Sequence, residues 1–366
     1  MKDSLHSTLA HSGSWPSWIR STKDGKGPSV NFTMGLADYL REEFKKHNLQ
    51  HNPTTIIDST KSVSASEGAQ VFHEIWERIE NEACNVIFGS NLIEDAGAGF
   101  HYTINLCQQI FRGDQVDAAA IDEQSPEYAQ LLEEFKQCGK QINQPAVIRT
   151  RREIIQHAQA LSWAVDNIVL TGMFWTEDAV KTIHGIIYAG MTSADVVPGE
   201  YRGGDHPIAA KYTDPKTGKE KVTRFIHPRA VPSYMADWVE NLNKDVQQAE
   251  SGAPFDPYDL SAKHYHHFIN IHPFGDGNGR TSRIILNCLV MKFTGHLIPL
   301  GEDYKEKDEF LEIAVRGAKK YYEEDGEVDL DEQKGHREIA RLMARKSVKS
   351  LDGMWTWFKK YNPSMN

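Results

Sequence analysis

The sequence predicts an all-α fold carrying one small β-hairpin, and three observations predict it. Apolar residues recur at helical spacing along most of the chain, on both sides of a Gly-rich segment at 272–283 and again at 71–87. One pair of alternating runs brackets a turn signal. At 366 residues with 40% hydrophobic content, the chain can bury one large core and a smaller helical unit.

Taken in order, residues 1–65 contain Ser, Lys and Pro with weak periodicity, and one helix is expected from Phe32 to Phe44. Val71, Phe72, Ile75, Trp76, Ile79, Ala83, Val86 and Ile87 then share one face of a long helix whose other face is acidic. Ser90 and Glu94 stand four apart near its end, on one face. Residues 112–127 are polar and acidic and read as a linker. Helical patterns resume at Tyr128 and continue through a long helix to Val169, with Arg149, Arg151 and Arg152 expected at its solvated end. Asp214-Pro215-Lys216-Thr217-Gly218 is a turn signal, with Val222, Arg224 and Ile226 alternating after it and Pro207, Ala209 and Lys211 before it. This predicts the hairpin.

Residues 272–283 carry the chemistry: His-Pro-Phe-Gly-Asp-Gly-Asn-Gly-Arg-Thr-Ser-Arg. Gly275, Gly277 and Gly279 allow tight turns and close approach of a ligand. Ile284, Ile285, Leu286, Leu289, Val290 and Phe293 continue as a buried helix, so the loop sits at a helix N-terminus, where free N–H groups favour anions. Arg280 and Arg283 share a helix face and can both reach a polyphosphate. Asp276 is a hard oxygen ligand suited to Mg²⁺, and His272 can accept a proton near neutrality. An EF-hand is excluded, because aligning Gly279 with the sixth loop position puts Phe274 and Ile285 at the first and last ligand positions. A Walker loop is excluded by the lack of Gly-Lys-Ser/Thr at the needed spacing.

The segment resembles the Fic (Fido) family motif, His-Pro-Phe-x-Asp/Glu-Gly-Asn-Gly-Arg-x-x-Arg, at every fixed position. The resemblance implies a Fido-type helical bundle with a flap hairpin and an N-terminal inhibitory helix. It implies transfer of AMP from ATP to a Ser, Thr or Tyr hydroxyl of a target protein. His272 would be the base, Asp276 would hold Mg²⁺, and Asn278 with the amides of Gly277 and Gly279 would cradle the α phosphate. Arg280 and Arg283 would hold the β and γ phosphates. A kinase-like branch carries Ala and Lys at the positions of Gly277 and Gly279, which favours nucleotidyl transfer here.

Ser90 through Glu94 resembles the family's inhibitory motif, Ser/Thr-x-x-x-Glu-Gly/Asn, with Asp95 departing at the last position. Glu94 would pair with Arg283 and restrain the enzyme. The same glutamate could instead orient a water for de-AMPylation, and a low-turnover nucleotide-sensing module is a third reading. The hairpin resembles the family's flap, which clamps a target by strand addition, with Tyr201, Arg202, Thr223, Arg224 and Phe225 as target-binding candidates. The implied division is an N-terminal segment at 1–65, a helical region with the inhibitory motif at 66–147, a catalytic core at 148–325 and a basic C-terminal helix at 326–366. Many family members dimerise, so a homodimer stays open.

Composition bounds the partners. Net charge is −10, from 41 basic and 51 acidic residues, which argues against nucleic acid as a main partner. Cys84, Cys107, Cys138 and Cys288 lack C-x-x-C spacing and read as reduced structural thiols. No run of about eighteen apolar residues occurs and the start lacks an apolar signal region, so a soluble cytoplasmic or nuclear chain is expected. His264, His266 and His267 are expected to pack rather than to bind metal. At the C-terminus, Arg341, Arg345, Lys346 and Lys349 oppose Ile339, Leu342, Met343, Val348, Leu351 and Met354, with Trp355, Trp357 and Phe358 following. Such a helix more often packs on its own protein than on an acidic partner or a membrane.

Overall fold

The computed structural model describes residues 65–137, 143–191, 196–205, 209–213, 220–251, 255–325, 327–328 and 332–347; the side chains of 65–76, 170 and 210–224 lie outside that description. The helix expected at Phe32–Phe44, the turn at 214–218, Cys138 and the chain beyond 347 are likewise outside the described residues.

Helix α1 (Ala65–Ile93) buries Ile79, Ala83, Val86 and Ile87, the apolar face read from the sequence. Helix α2 (Phe100–Phe111) buries Leu106, Cys107, Ile110 and Phe111. After α3 (Pro126–Gln137), α4 (Gln144–Ala164) starts where Asn143 accepts a bond from the Ala146 amide at 2.9 Å, with Pro145 in the first turn. It runs on as a π-helical turn, Val165–Leu170. Helix α5 (Glu177–Tyr188) is capped by Thr176 through the Ala179 amide at 3.0 Å. Strands β1 (Ala209–Thr213) and β2 (Glu220–Arg224) form the expected hairpin, antiparallel from Ala209↔Arg224 to Thr213↔Glu220. Helices α6 (Val231–Glu250), α7 (Pro257–Ile271), α8 (Asn278–Thr294) and α9 (Tyr304–Glu324) follow. A last described helical stretch covers 337–347.

Helix α8 lies at the centre, flanked by α1, α4, α5, α7 and the π turn. Its residues are buried on every side except at Gly279 and Lys292. That is why its apolar run lacks a polar face. One hydrophobic cluster runs from Ile79 on α1 to Leu297 after α8, so α1 belongs to the same core. A second cluster joins Ile93, Tyr258, Tyr265, Phe310, Ile339 and Met343.

One expectation about charge needs correction. Arg151 is not at a solvated end; it is 3% exposed and pairs with Glu127, the Tyr102 hydroxyl at 3.1 Å and the Asp117 carbonyl at 3.2 Å. The polar segment at 112–127 is irregular, as a linker would be, yet it supplies acceptors to that buried guanidinium. The described part of the C-terminal helix does pack on its own protein. Ile339, Leu342 and Met343 are buried, while Arg345 pairs with Glu309 and Lys346 with Glu302, each at 2.7 Å. His264, His266 and His267 are buried on α7, where His264 meets Asp245 at 2.9 Å and His267 meets Gln333 at 3.2 Å.

Candidate active site

The turn between α7 and α8 builds the site. Helix α7 ends at His272 in the left-handed region, φ 53 and ψ 60, and Pro273 stops any continuation. Gly277 enters α8 at φ 76, and a Cβ there would lie 2.8 Å from the Tyr188 ring. Gly279 is helical, but its Cβ would fall 2.0 Å from a Glu94 carboxylate oxygen. Gly275 lies in the loop without a positive φ. Asn278 is 1% exposed and staples the loop: its Oδ1 accepts from the Phe274 amide and its Nδ2 donates to the Phe274 carbonyl, both at 2.9 Å. Both ends of that side chain are therefore spent on loop shape.

His272 Nδ1–H donates to the Ile269 carbonyl at 3.1 Å, which fixes the tautomer and leaves Nε2 as the free acceptor. Its ring stacks on Phe225 at 3.8 Å with 13° between planes. Burial pushes its pKa down to about 4; the Ile269 carbonyl opposes that shift and the Arg202 charge adds to it. The imidazole is thus neutral at pH 7 and able to accept a proton.

The two arginines are both buried, at 5% and 2% exposure, and are partnered differently. Arg283 donates from Nε to the Ser90 hydroxyl at 2.7 Å, and from Nη2 to the Ser90 carbonyl at 2.9 Å and to Glu94 Oε1 at 2.7 Å. Arg280 Nε and Nη1 have no hydrogen-bond partner among the described residues. Arg280, Asp276, Arg149, Thr150, Glu153 and Glu94 line a cleft of about 240 Å³. Buried cationic donors without acceptors suit an anion.

The carboxylate of Asp276 is exposed, with Oδ1 accepting from the Gly277 amide at 2.6 Å and Oδ2 from the Tyr188 hydroxyl. Mg²⁺ usually takes one or two carboxylates and fills its shell with phosphate oxygens and water. The donor set therefore fits Mg²⁺ brought with a polyphosphate, and no group of three protein ligands occurs among the described residues.

The hairpin candidates divide. Phe225 faces His272, as above. Tyr201 donates to Glu177 at 2.9 Å and packs against Phe274, and Arg202 is 6% exposed beneath the loop. Thr223 and Arg224 are placed only as β2 backbone, paired with Ala210 and Ala209.

Sequence reasoning missed the supports. His184 donates from Nε2 to the Asp276 carbonyl at 3.1 Å, accepts the Gly199 amide at 3.0 Å on Nδ1, and stacks on Phe274 at 3.8 Å. Burial lowers its pKa to about 4, keeping it in that neutral form. Asn91 accepts from His157 Nδ1 at 2.9 Å and donates to the Glu153 carbonyl at 3.2 Å, while Glu153 Oε2 accepts the Gly97 amide at 2.9 Å. Only the polar residues inside the apolar faces of α4 and α5 could have flagged these.

Residues 174–290 match the family model described as the Fic/DOC family. The chain is 32% identical over 100 residues to a Fido domain-containing protein of Dictyostelium discoideum, covering 27% of this chain and 64% of that protein. It is 35% identical over 79 residues to protein adenylyltransferase fic-1 of Caenorhabditis elegans, covering 21% of this chain and 15% of that protein. The chain thus spans under two thirds of the length of these relatives. The fold is similar to that of a Fic domain containing signaling protein from Bacteroides thetaiotaomicron, with TM-score 0.55, 18% identity, and 76% of this chain and 88% of that chain covered. It is also similar to Fic-1 from C. elegans, with TM-score 0.51, 16% identity, and 89% and 74% covered. The family match ends inside α8 and takes in the whole turn that shapes this site; the chain carries a Fic/DOC-family domain over residues 174–290.

Proposed function

We propose that this chain is a protein adenylyltransferase that moves AMP from ATP to a Ser, Thr or Tyr hydroxyl of a target protein. The observation that carries the reading is Arg280, a buried guanidinium with unpaired Nε and Nη1 beside a neutral histidine and an exposed carboxylate. The target hydroxyl oxygen attacks the α phosphorus, its proton goes to His272 Nε2, and the bond to the pyrophosphate oxygen breaks. Arg280 and the amides at the start of α8 hold phosphate oxygens, and Asp276 would hold Mg²⁺, which neutralises phosphate charge when bound. Asn278 acts through loop shape, and β2 aligns the target by strand addition.

Glu94 restrains this activity in the proposal. Its carboxylate occupies Arg283 and presses against Gly279, where the far phosphate of a productive nucleotide would lie. The unit at 66–147 then acts as regulator of the unit at 148–325. A second reading has one observation in its favour: only Glu94 Oε1 is engaged by Arg283, so the other oxygen can hold a water for removal of AMP.

The test is self-labelling with ATP labelled at the α phosphate, in Mg²⁺, for wild type, Glu94→Gly and Glu94→Gly with His272→Ala. Strong label in Glu94→Gly alone supports transfer and restraint. Absent label with retained nucleotide binding sinks the transferase reading, and loss of label from a pre-modified protein with wild type, but not with Glu94→Gly, establishes removal instead.

A further inference from the structure

We propose that Arg202 is a positioning residue that ties the proton-accepting loop to the exit of the hairpin, so that hairpin placement sets the orientation of His272; this rests on the reading of His272 as the base. Arg202 is 6% exposed; its Nε and Nη2 are spent on backbone carbonyls, while its buried Nη1 has no partner among the described residues. Nε donates to His272 O at 2.7 Å, and Nη2 donates to Ile226 O at 2.6 Å and to Ile271 O at 3.4 Å. Its own amide donates to Pro273 O at 2.8 Å. The side chain thus bridges two residues of the α7 end, Ile271 and His272, and the segment that leaves β2, and the Arg202 amide holds a third, Pro273.

This bridging has a specific need. A helix that ends at a left-handed residue leaves its last carbonyls without intrahelical donors, and burial forbids water as the substitute. Pro273 has no amide to offer. Arg202 meets that need with a fixed planar fork, which lysine cannot reproduce. On the opposite side, Phe225 follows β2 directly and stacks on the imidazole. The base is therefore held by its backbone through Arg202 and by its ring face through Phe225, with Ile226 O linking the two. A target strand that adds to the hairpin edge acts on the same chain segment. Alignment of the substrate and alignment of the base are one mechanical event.

The charged groups facing His272 are Arg202 from the segment after α5, Glu94 from beyond α1 and Asp276 from its own loop. Of these, Arg202 disfavours the imidazolium, and the two carboxylates favour it.

The experiment uses the full chain carrying Glu94→Gly, with Arg202→Lys, Arg202→Gln and Phe225→Leu. We measure kcat, KM for ATP, nucleotide binding by calorimetry, and the pH profile of kcat. A ten-fold or greater fall in kcat is expected for both Arg202 variants, with nucleotide affinity within two-fold of the parent. The acidic limb of the profile, where the base gains its proton, moves up in Arg202→Gln, because a charge that disfavours the imidazolium is removed while the burial that sets most of the depression stays. Phe225→Leu, which retains bulk at the ring face, shows a smaller fall in the same direction. A loss confined to KM or nucleotide affinity, or an unmoved acidic limb, overturns the proposal. Should Arg202→Gln fold poorly, Arg202→Lys supplies the kcat and affinity comparison. The ¹⁵N titration of the His272 ring without nucleotide or metal, in wild type and Arg202→Gln, separates the two readings. A shifted ring with full turnover in His272→Ala defeats the base assignment, whereas an unshifted ring with turnover lost in His272→Ala defeats the positioning role.

Discussion

Arg280 and Arg283 sit one helical turn apart, equally buried, and only Arg283 has its charge answered. The end of α1 reaches one and not the other. A buried guanidinium with two unpaired nitrogens is an unfavourable state that a bound anion would relieve, so in the proposed function part of the affinity for a polyphosphate is stored at Arg280. Gly277 sets how close that anion can come. Gly277→Ala must place an L-residue at φ 76 and a methyl 2.8 Å from the Tyr188 ring, which itself is held to Asp276. The expected cost is about 1–2 kcal/mol from the backbone alone, a fall of a few degrees in Tm, with lost nucleotide binding. Unchanged melting and calorimetric binding would show that the loop has more room than its geometry indicates. Asp95 illustrates the same rule in reverse. It adopts φ 52, where Gly or Asn is favoured and Asp is tolerated, so its departure from the family's inhibitory motif keeps the turn. Its carboxylate also meets Lys307 at 2.5 Å.

At the scale of elements, the end of α1 is fastened to α4 rather than left to rest on Arg283. Asn91 bridges His157 and the Glu153 carbonyl, Glu153 receives the Gly97 amide, and Arg149 holds Glu153 at 3.0 Å. The bonds of Asn91 and Gly97 lie within three residues of Glu94 in the chain and bear on where its carboxylate falls. Asn91→Ala leaves the buried His157 ring N–H unpaired and removes the second bond to the Glu153 carbonyl, a loss of about 1–3 kcal/mol. Urea unfolding should show that loss, and self-labelling should rise toward the level of Glu94→Gly. Lower stability without added label would mean that the fastening does not govern Glu94. The hairpin is the opposite kind of element, two short strands joined to each other and, among the described residues, to no other strand. Its main-chain edge is the sort of surface that an extended segment can pair with.

At the scale of the whole molecule, burial of imidazoles couples stability to pH. Burial lowers the pKa of His157, His184, His264, His266, His267, His272 and His296, with His266 at about 3 and His184 and His272 at about 4. The unfolded chain therefore binds protons near 6.5 that the folded chain refuses, and stability rises with pH across that interval. Lowering the pH from 7.5 to 5 should reduce the urea midpoint markedly. Asp245, held at about 2 despite burial by His264 and Lys263, adds a loss in the same direction below about 4. Equal midpoints at pH 5 and 7.5 would contradict the burial of these rings.

What the sequence determined by itself follows from locality. The helical class, the hairpin and the 272–283 loop at the start of α8 are legible because periodicity, turn chemistry and motif spacing act between near neighbours in the chain. The meeting of Ser90 and Glu94 with Arg283 across 189 or more positions could be expected only through the family resemblance. No local rule reaches that far. The burial of Arg151, the supports at His184, Tyr188 and Asn91, and the inward turn of Arg202 were decided by tertiary structure. A polar side chain looks the same in sequence on a wet face and in a core. Which it becomes depends on the acceptors that distant segments bring, and only the folded chain has brought them together.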